Sequence, residues 1–306
     1  MFGWLRRPAA RLALALLAGY GAYLAIASGA SAFFWGGYNA LIDAWGVTAR
    51  NAQYAPGWVR GLGEASPSLH AVFQNALVML ALWGLWRAFE RRAPGAGPHG
   101  GASRGIFGAR RGAAGLGEWG MGLLLAALLV AAAAALLLLT DTSRLGWRLG
   151  APRITWMTLA LLPAALMAAM GEELFARGYA MGMADKALGR PAGYAASVAA
   201  TLLIHAPGGL TPMAALNVTL MGLLCGRMYE RTGAIWMGVG FRLGWTYMAA
   251  AVAGFSGGEN AVYEIYAASR YWLSGGDAGL MQGALAALLL ALALLLLWRA
   301  PRRRAA

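Results

Sequence analysis

The chain has 306 residues, of which 60% are hydrophobic and only 12% are charged. A soluble domain is about half apolar and about a quarter charged, so this composition excludes a water-soluble globular protein. The net charge of +13 does not indicate a nucleic-acid partner, because most arginines flank apolar runs, where they act as topology signals. We therefore expect an all-α integral membrane protein whose surroundings are the lipid bilayer.

Eight apolar segments approach the length of about 20 residues that a membrane-spanning helix needs. In chain order they are 12–33, 70–86, 121–139, 154–183, 192–206, 211–226, 233–254 and 279–298. The segment 192–206 is short and rich in alanine, so we expect it inside the bundle, where small residues allow helices to approach closely. Basic residues before the first segment also fit a secretory signal. An uncleaved first span is favoured because the apolar run extends to Trp35.

The distribution of basic residues predicts the orientation of these spans. With the N-terminus inside, 17 of the 25 basic residues fall in inner segments, 6 in outer segments and 2 within spans. This bias predicts a polytopic transmembrane helix bundle of about eight spans with both termini in the cytoplasm. The expected location is the bacterial cytoplasmic membrane. We expect a long outer loop at 36–69 and a basic cytoplasmic loop at 87–119 that contacts anionic lipid.

Charged residues inside a span are costly and mark a functional site by default. Here they gather in the fourth segment as Glu172, Glu173 and Arg177. Glu173 and Arg177 are four residues apart, so on a helix they lie on one face and can pair. One arginine does not satisfy two carboxylates, which leaves Glu172 as the group available for chemistry. The alternative is that the cluster only caps the inner end of its span.

A histidine in the next span, His205, strengthens the functional interpretation, although a lone histidine on an apolar helix is more often structural. If the fourth and fifth segments form a hairpin that turns near Gly189, Glu173 and His205 each lie 16 residues from the turn. At a rise of 1.5 Å per residue, both would lie at about 24 Å from it. A carboxylate and an imidazole that meet there could hold a metal and activate water, or serve as a proton relay.

These residues resemble the CAAX-protease and bacteriocin-processing (Abi) family of intramembrane metalloproteases, also called type II CAAX prenyl endopeptidase-like. The family motif Glu-Glu-x-x-x-Arg appears as residues 172–177, and its second-motif histidine matches His205. The phrase Arg-Thr-Gly-Ala-Ile-Trp at 231–236 is also typical of the family. The resemblance divides the chain into spans one to three (1–153), a catalytic core (154–254), and an outer loop with the last span and basic tail (255–306).

The third family motif departs from its pattern. Where the family has His-x-x-x-Asn, this chain has Arg242 and Thr246. Arginine stays protonated and does not ligate a metal. It can stabilise a tetrahedral oxyanion as a fixed cation, or it can occupy the cavity, neutralise the glutamates and repel a metal.

The resemblance implies that Glu172 and His205 activate water with a divalent metal, zinc being the expected ion. Glu173 and Arg177 would brace the helix, and Arg242 would hold the oxyanion. The implied function is an intramembrane metallo-endopeptidase that cleaves a membrane-associated or small peptide, so a peptide or membrane protein is the expected partner. The alternatives are a non-catalytic member that binds, regulates or confers immunity, and a proton-coupled transporter, which the absence of a detectable repeat disfavours.

Overall fold

The computed structural model describes residues 8–47, 54–91, 113–146, 155–255 and 261–300. The predicted contact of the loop 87–119 with lipid falls mostly on 92–112, outside the described residues, as do both ends of the chain. The helices of at least seven residues are α1 (Pro8–Ala44), α2 (Gly57–Arg91), α3 (Ala113–Leu139), α4 (Trp156–Glu173), α5 (Gly182–Leu188), α6 (Arg190–His205), α7 (Pro212–Thr232), α8 (Trp236–Tyr247) and α10 (Ala284–Arg299). The short helix α9 (Tyr271–Ser274) precedes α10.

Helices occupy all eight segments predicted from the sequence, but they differ in their capacity to span a membrane. Four helical stretches are long and apolar enough by themselves: Leu12–Ala44, Gly57–Ala88, Ala114–Leu139 and Thr158–Leu188. The helix Ala284–Arg299 is apolar but shorter. The protein is therefore an integral membrane helix bundle. The number of eight spans and the cytoplasmic termini remain predictions.

The predicted outer loop at 36–69 is wrong at both ends, because α1 continues to Ala44 and α2 begins at Gly57. The physical reason is the packing of the two helices against each other. The rings of Phe34 and Trp35 lie 5.4 and 5.5 Å from the ring of His70, and Ser31 Oγ lies 2.7 Å from His70 Nε2. At the far end of the extensions, the rings of Trp45 and Trp58 lie 4.8 Å apart, so the two helices stay in contact beyond their apolar segments.

The prediction of an all-α fold needs a second correction. Two short strands, β1 (Ser143–Gly146) and β2 (Glu264–Ala267), pair antiparallel with Ser143 opposite Ala267. Four-residue strands that are separated by more than a hundred residues leave no alternating pattern in the sequence. The pair joins the connection that follows α3 to the connection that precedes α10.

The predicted hairpin at Gly189 is confirmed. Gly189 separates α5 from α6 with φ of 87°, a conformation that glycine adopts without steric cost. The first arm of the hairpin is not a continuous α-helix, since Leu174–Met181 forms a π-helix between α4 and α5. A π-helix is rare and occurs frequently at functional sites. Every residue of this π segment is buried.

Helix α8 reaches the centre of the molecule because it packs closely against α3. A β-carbon at Gly240 would overlap the carbonyl of Trp119, and one at Gly122 would overlap the carbonyl of Met237. The backbones therefore touch without intervening side chains, as small residues permit in membrane helices. This contact fixes the depth of Arg242, two residues after Gly240.

A polar cluster ties α6 to α7 at the end nearest the Gly189 turn. Glu230 accepts hydrogen bonds from Tyr194 (2.9 Å) and Arg227, and it pairs with Arg190. Burial acts to raise the pKa of Glu230, but the bonds from Arg227 and Tyr194 and the charge of Arg190 outweigh it and hold that pKa below its usual value. The cluster keeps Glu230 ionised at neutral pH.

Candidate active site

The two glutamates occupy the last turn of α4, immediately before the π segment that carries Arg177. Helix α8 supplies Arg242 from the opposite side. These four side chains form one connected ionic network. The first three are close together in the sequence, whereas Arg242 comes from a distant part of the chain. Two carboxylates and two guanidinium groups give that network no net charge, which lowers the cost of burying it.

Arg177 is fully buried and holds Glu173 to the neighbouring helix. Its Nη1 donates to Glu173 Oε1 at 2.8 Å, and both side chains have no exposed surface. Its Nη2 donates to the carbonyl oxygen of Gly222 in α7 at 2.9 Å. The spacing of four residues predicted this pair, and the structure shows it; the role of the pair as a brace stays a prediction.

Arg242 bridges both glutamates. Its Nε donates to Glu173 Oε1 at 2.8 Å, and its Nη1 donates to Glu172 Oε2. The third nitrogen, Nη2, is buried and has no hydrogen-bond partner among the described residues. Arg242 therefore has one unused donor beside the two carboxylates.

The two carboxylates differ in access. The side chain of Glu173 has no exposed surface, whereas that of Glu172 is 20% exposed. Arg242 holds Oε2 of Glu172, and Oε1 makes no hydrogen bond within the described part of the chain. Glu172 is thus the carboxylate with an oxygen that a small molecule such as water can reach.

Gly238 explains how a fully buried Glu173 fits between α4 and α8. A β-carbon at this position would overlap Oε2 of Glu173. That oxygen has no hydrogen-bond partner among the described residues. The absence of a side chain at Gly238 makes the room for the carboxylate, a requirement that the sequence did not signal.

His205 is the last residue of α6 and is partly buried. Its Nδ1 lies 2.9 Å from the carbonyl oxygen of Thr201. A carbonyl only accepts, so Nδ1 carries the hydrogen and Nε2 of the neutral ring has the lone pair. Among the described hydrogen bonds and ion pairs, none joins His205 to either glutamate. The structure therefore connects four of the five predicted site residues directly, and His205 is separate.

Thr246, which stands in the asparagine position of the third motif, is exposed and makes no hydrogen bond within the described residues. Its short side chain adds no donor to the ionic network. Of the two residues at which the third motif departs from the family pattern, only Arg242 therefore contributes to the site.

A group of stacked aromatic rings lies beside the glutamates, and the sequence did not predict it. Tyr20 and Tyr23 of α1 stack on each other and on Phe175, which follows Glu172 by three residues. Tyr179 stacks on the other end of Phe175. The spacing of three between Tyr20 and Tyr23 signals a common helix face, but only the fold shows which residues that face contacts.

The donor set does not fit the divalent metal that the resemblance implies. No group of three or more His, Cys, Asp or Glu residues that could hold a metal occurs among the described residues. Glu172 and His205 would provide two ligands, and the guanidinium of Arg242 already contacts both carboxylates. A fixed cation at that position opposes the binding of a second cation.

Comparison with known proteins supports the resemblance. Residues 154–248 match the family described as type II CAAX prenyl endopeptidase Rce1-like. The matched segment contains all five predicted site residues, although the comparison assigns no role to any of them. No curated protein and no solved structure matches the chain.

Proposed function

We propose, from the similarity of residues 154–248 to a membrane protease family, that the protein is an intramembrane endopeptidase of the bacterial cytoplasmic membrane. Its substrate would be a membrane-associated or small peptide. The observation that carries this proposal is the geometry of Arg242, which holds the accessible Glu172 and still has a free buried donor.

In the proposed reaction, Glu172 is the general base. Its Oε1 takes a proton from water while the water oxygen attacks the carbonyl carbon of the scissile peptide bond. The carbonyl oxygen becomes an oxyanion, which accepts a hydrogen bond from Nη2 of Arg242. When the C–N bond breaks, the proton passes from Glu172 to the leaving nitrogen. The oxyanion returns its electron pair to re-form the carbonyl, and the products are a carboxylic acid and an amine, which ionise in water to a carboxylate and an ammonium group.

The other site residues position the general base Glu172 and the oxyanion donor Arg242. Glu173 and Arg177 fix the position of Arg242 and of the last turn of α4, so that the donor and the base keep a constant separation. His205 would position the attacking water through its Nε2, since Nδ1 is held by Thr201.

The test uses the purified full-length protein in liposomes. The probes are a farnesylated CAAX-type peptide and a mixture of proteome-derived peptides, with products identified by mass spectrometry. We expect cleavage by the wild type and a loss of about 100-fold to 10 000-fold in E172Q, the range for a general base. The matched control is Glu64→Gln, which removes an exposed carboxylate of α2. Absence of any product from the wild type, or full cleavage by E172Q, would contradict the proposal.

A second candidate function follows from the same contacts of Arg242. If both carboxylates stay neutralised when a ligand enters, the protein is a non-catalytic member that binds or regulates a membrane partner. Peptide cleavage distinguishes the two, because neither candidate has zinc in the wild type: histidine ligates zinc and arginine does not. This candidate predicts no cleavage and no zinc in the wild type, and gain of stoichiometric zinc in Arg242→His. Zinc in the wild type that is lost in His205→Ala would contradict the metal-free reaction described above.

A further inference from the structure

Tyr23 of α1 lies outside the matched family segment but beside the proposed base. Its ring centroid is 5.5 Å from that of Phe175, and the two planes differ by 21°. Phe175 follows Glu172 by three residues, so the two side chains leave neighbouring positions on α4 and the π segment. The stack therefore fixes the ring of Tyr23 next to the turn that carries the base.

The neighbouring tyrosines use their hydroxyl groups to hold helices together. Tyr20 donates to the carbonyl of Leu203 in α6 at 3.2 Å, and Tyr179 donates to the carbonyl of Ala15 in α1 at 2.6 Å. The hydroxyl of Tyr23 makes no hydrogen bond among the described residues. The packing of α1 thus leaves one tyrosine hydroxyl unused, and it belongs to the ring that stacks on Phe175 beside the turn of Glu172.

The chemistry of the site requires such a donor. An oxyanion of peptide hydrolysis is held best by two or more fixed donors. Arg242 offers one, through Nη2, and the exposed Thr246 offers none to the network. A phenol held by stacking is a preorganised donor, because its ring does not need to be ordered when the substrate binds.

We propose that Tyr23 is a further catalytic residue, whose hydroxyl donates the second hydrogen bond to the tetrahedral oxyanion of the peptide substrate. This proposal rests on the proposed function. It places a working part of the site on the first helix, so that the segment 154–248 is incomplete without α1.

The test compares three variants that each remove a single hydroxyl: Tyr23→Phe, Tyr20→Phe and Tyr179→Phe. All three keep the aromatic stack, so a merely structural effect of losing a hydroxyl appears in the two controls. We expect Tyr23→Phe to lower kcat by on the order of 100-fold, the cost of one oxyanion donor, with KM changed less than about threefold. The controls should keep kcat within about threefold of the wild type.

A binding experiment separates this proposal from the proposed function. The probe is the farnesylated CAAX-type peptide with its scissile amide replaced by a phosphinate, which mimics the tetrahedral oxyanion. We expect Tyr23→Phe to weaken phosphinate binding by at least about 10-fold and binding of the parent amide by less than twofold.

If the wild type cleaves peptide but Tyr23→Phe matches Tyr20→Phe in kcat and phosphinate affinity, the Tyr23 proposal is overturned alone. If E172Q cleaves peptide as well as the wild type, but Tyr23→Phe still loses phosphinate binding selectively, only the proposed function fails. A wild type that neither cleaves peptide nor binds phosphinate overturns both.

Discussion

Arg177 and Glu173 form a buried ion pair whose value depends on the charges around it. Removal of one partner from a buried pair leaves an uncompensated charge and destabilises a protein by about 3–5 kcal/mol, whereas removal of both partners together is often neutral. We expect Arg177→Met to lower the thermal midpoint of the detergent-solubilised protein strongly, because it gives the network a net negative charge. The double variant Glu173→Gln/Arg177→Met should recover most of that loss. Thermal unfolding followed by tryptophan fluorescence in one detergent measures both.

The control for this prediction is Arg190→Gln, which also removes an arginine that pairs with a glutamate. The side chain of Arg190 is 43% exposed, so water screens its charge and we expect a change below about 1 kcal/mol. If Arg177→Met is no worse than Arg190→Gln, or if the double variant is the least stable of the set, the ionic network does not stabilise the fold in the manner described.

The sequence predicts the residues of this network better than it predicts their partners. Burial cost alone singles out Glu172, Glu173, Arg177 and Arg242, because a charge in an apolar run needs a reason. Their pairing depends on the depth and rotation of α8, which close packing against α3 determines. Tyr23 escaped prediction for a related reason, since a tyrosine in an apolar helix carries no electrostatic penalty that would mark it.

Helix α8 depends on glycine for its approach to α3. A β-carbon at Gly240 would overlap the carbonyl of Trp119, and the obstacle is backbone, which cannot rotate away. We expect Gly240→Ala to separate the helices and to destabilise the protein by about 1–3 kcal/mol, the usual cost of overpacking. The expected accompanying change is a loss of peptide cleavage, because Arg242 moves with α8. Thermal midpoint and cleavage rate measured on the same preparation test this.

Gly120→Ala is the matched control, since Gly120 lies in α3, the partner helix of α8, and a β-carbon there meets no atom within 4 Å. It adds the same methyl group without an overlap, so stability and cleavage should stay near the wild-type values. Equal effects of the two substitutions would show that the α3–α8 contact has more room than its geometry indicates.

At the scale of elements, local signals were reliable where a residue type dictates the backbone. Gly189 predicted the turn between α5 and α6 because its position between two apolar runs requires a break. The π-helix Leu174–Met181 contains no residue type that dictates it, so periodicity does not reveal it. The extensions of α1 and α2 depend on contacts between the two helices, which a single segment does not record.

At the scale of the whole molecule, hydropathy identifies four helical stretches that could each span a membrane alone, whereas the fold packs further helices against them. Glu172, Glu173 and Arg177 lie within the spanning stretch Thr158–Leu188. The helices α6 and α8, which carry His205 and Arg242, fall with α7 outside the four stretches that are apolar enough to span alone. Such helices are sheltered by the more apolar α1, α2, α3 and α10, which expose many leucines. A site for water and peptide inside a bilayer requires this division, because charged groups must face the interior of the bundle.

The arginine bias leads to a prediction about orientation that single cysteines can test. The sequence contains one cysteine, Cys225, which is fully buried, so the wild type should not react with a membrane-impermeant maleimide. With both termini in the cytoplasm, Leu188→Cys beside the hairpin turn lies inside and Ala278→Cys before α10 lies outside; both positions are exposed. We expect intact cells to label only Ala278→Cys, and permeabilised cells to label both. Labelling of Leu188→Cys alone in intact cells would invert the orientation and place the polar cluster around Glu230 on the outer surface. Labelling of both variants in intact cells would put both sites outside, so that the chain would cross the membrane an even number of times between them and not an odd number.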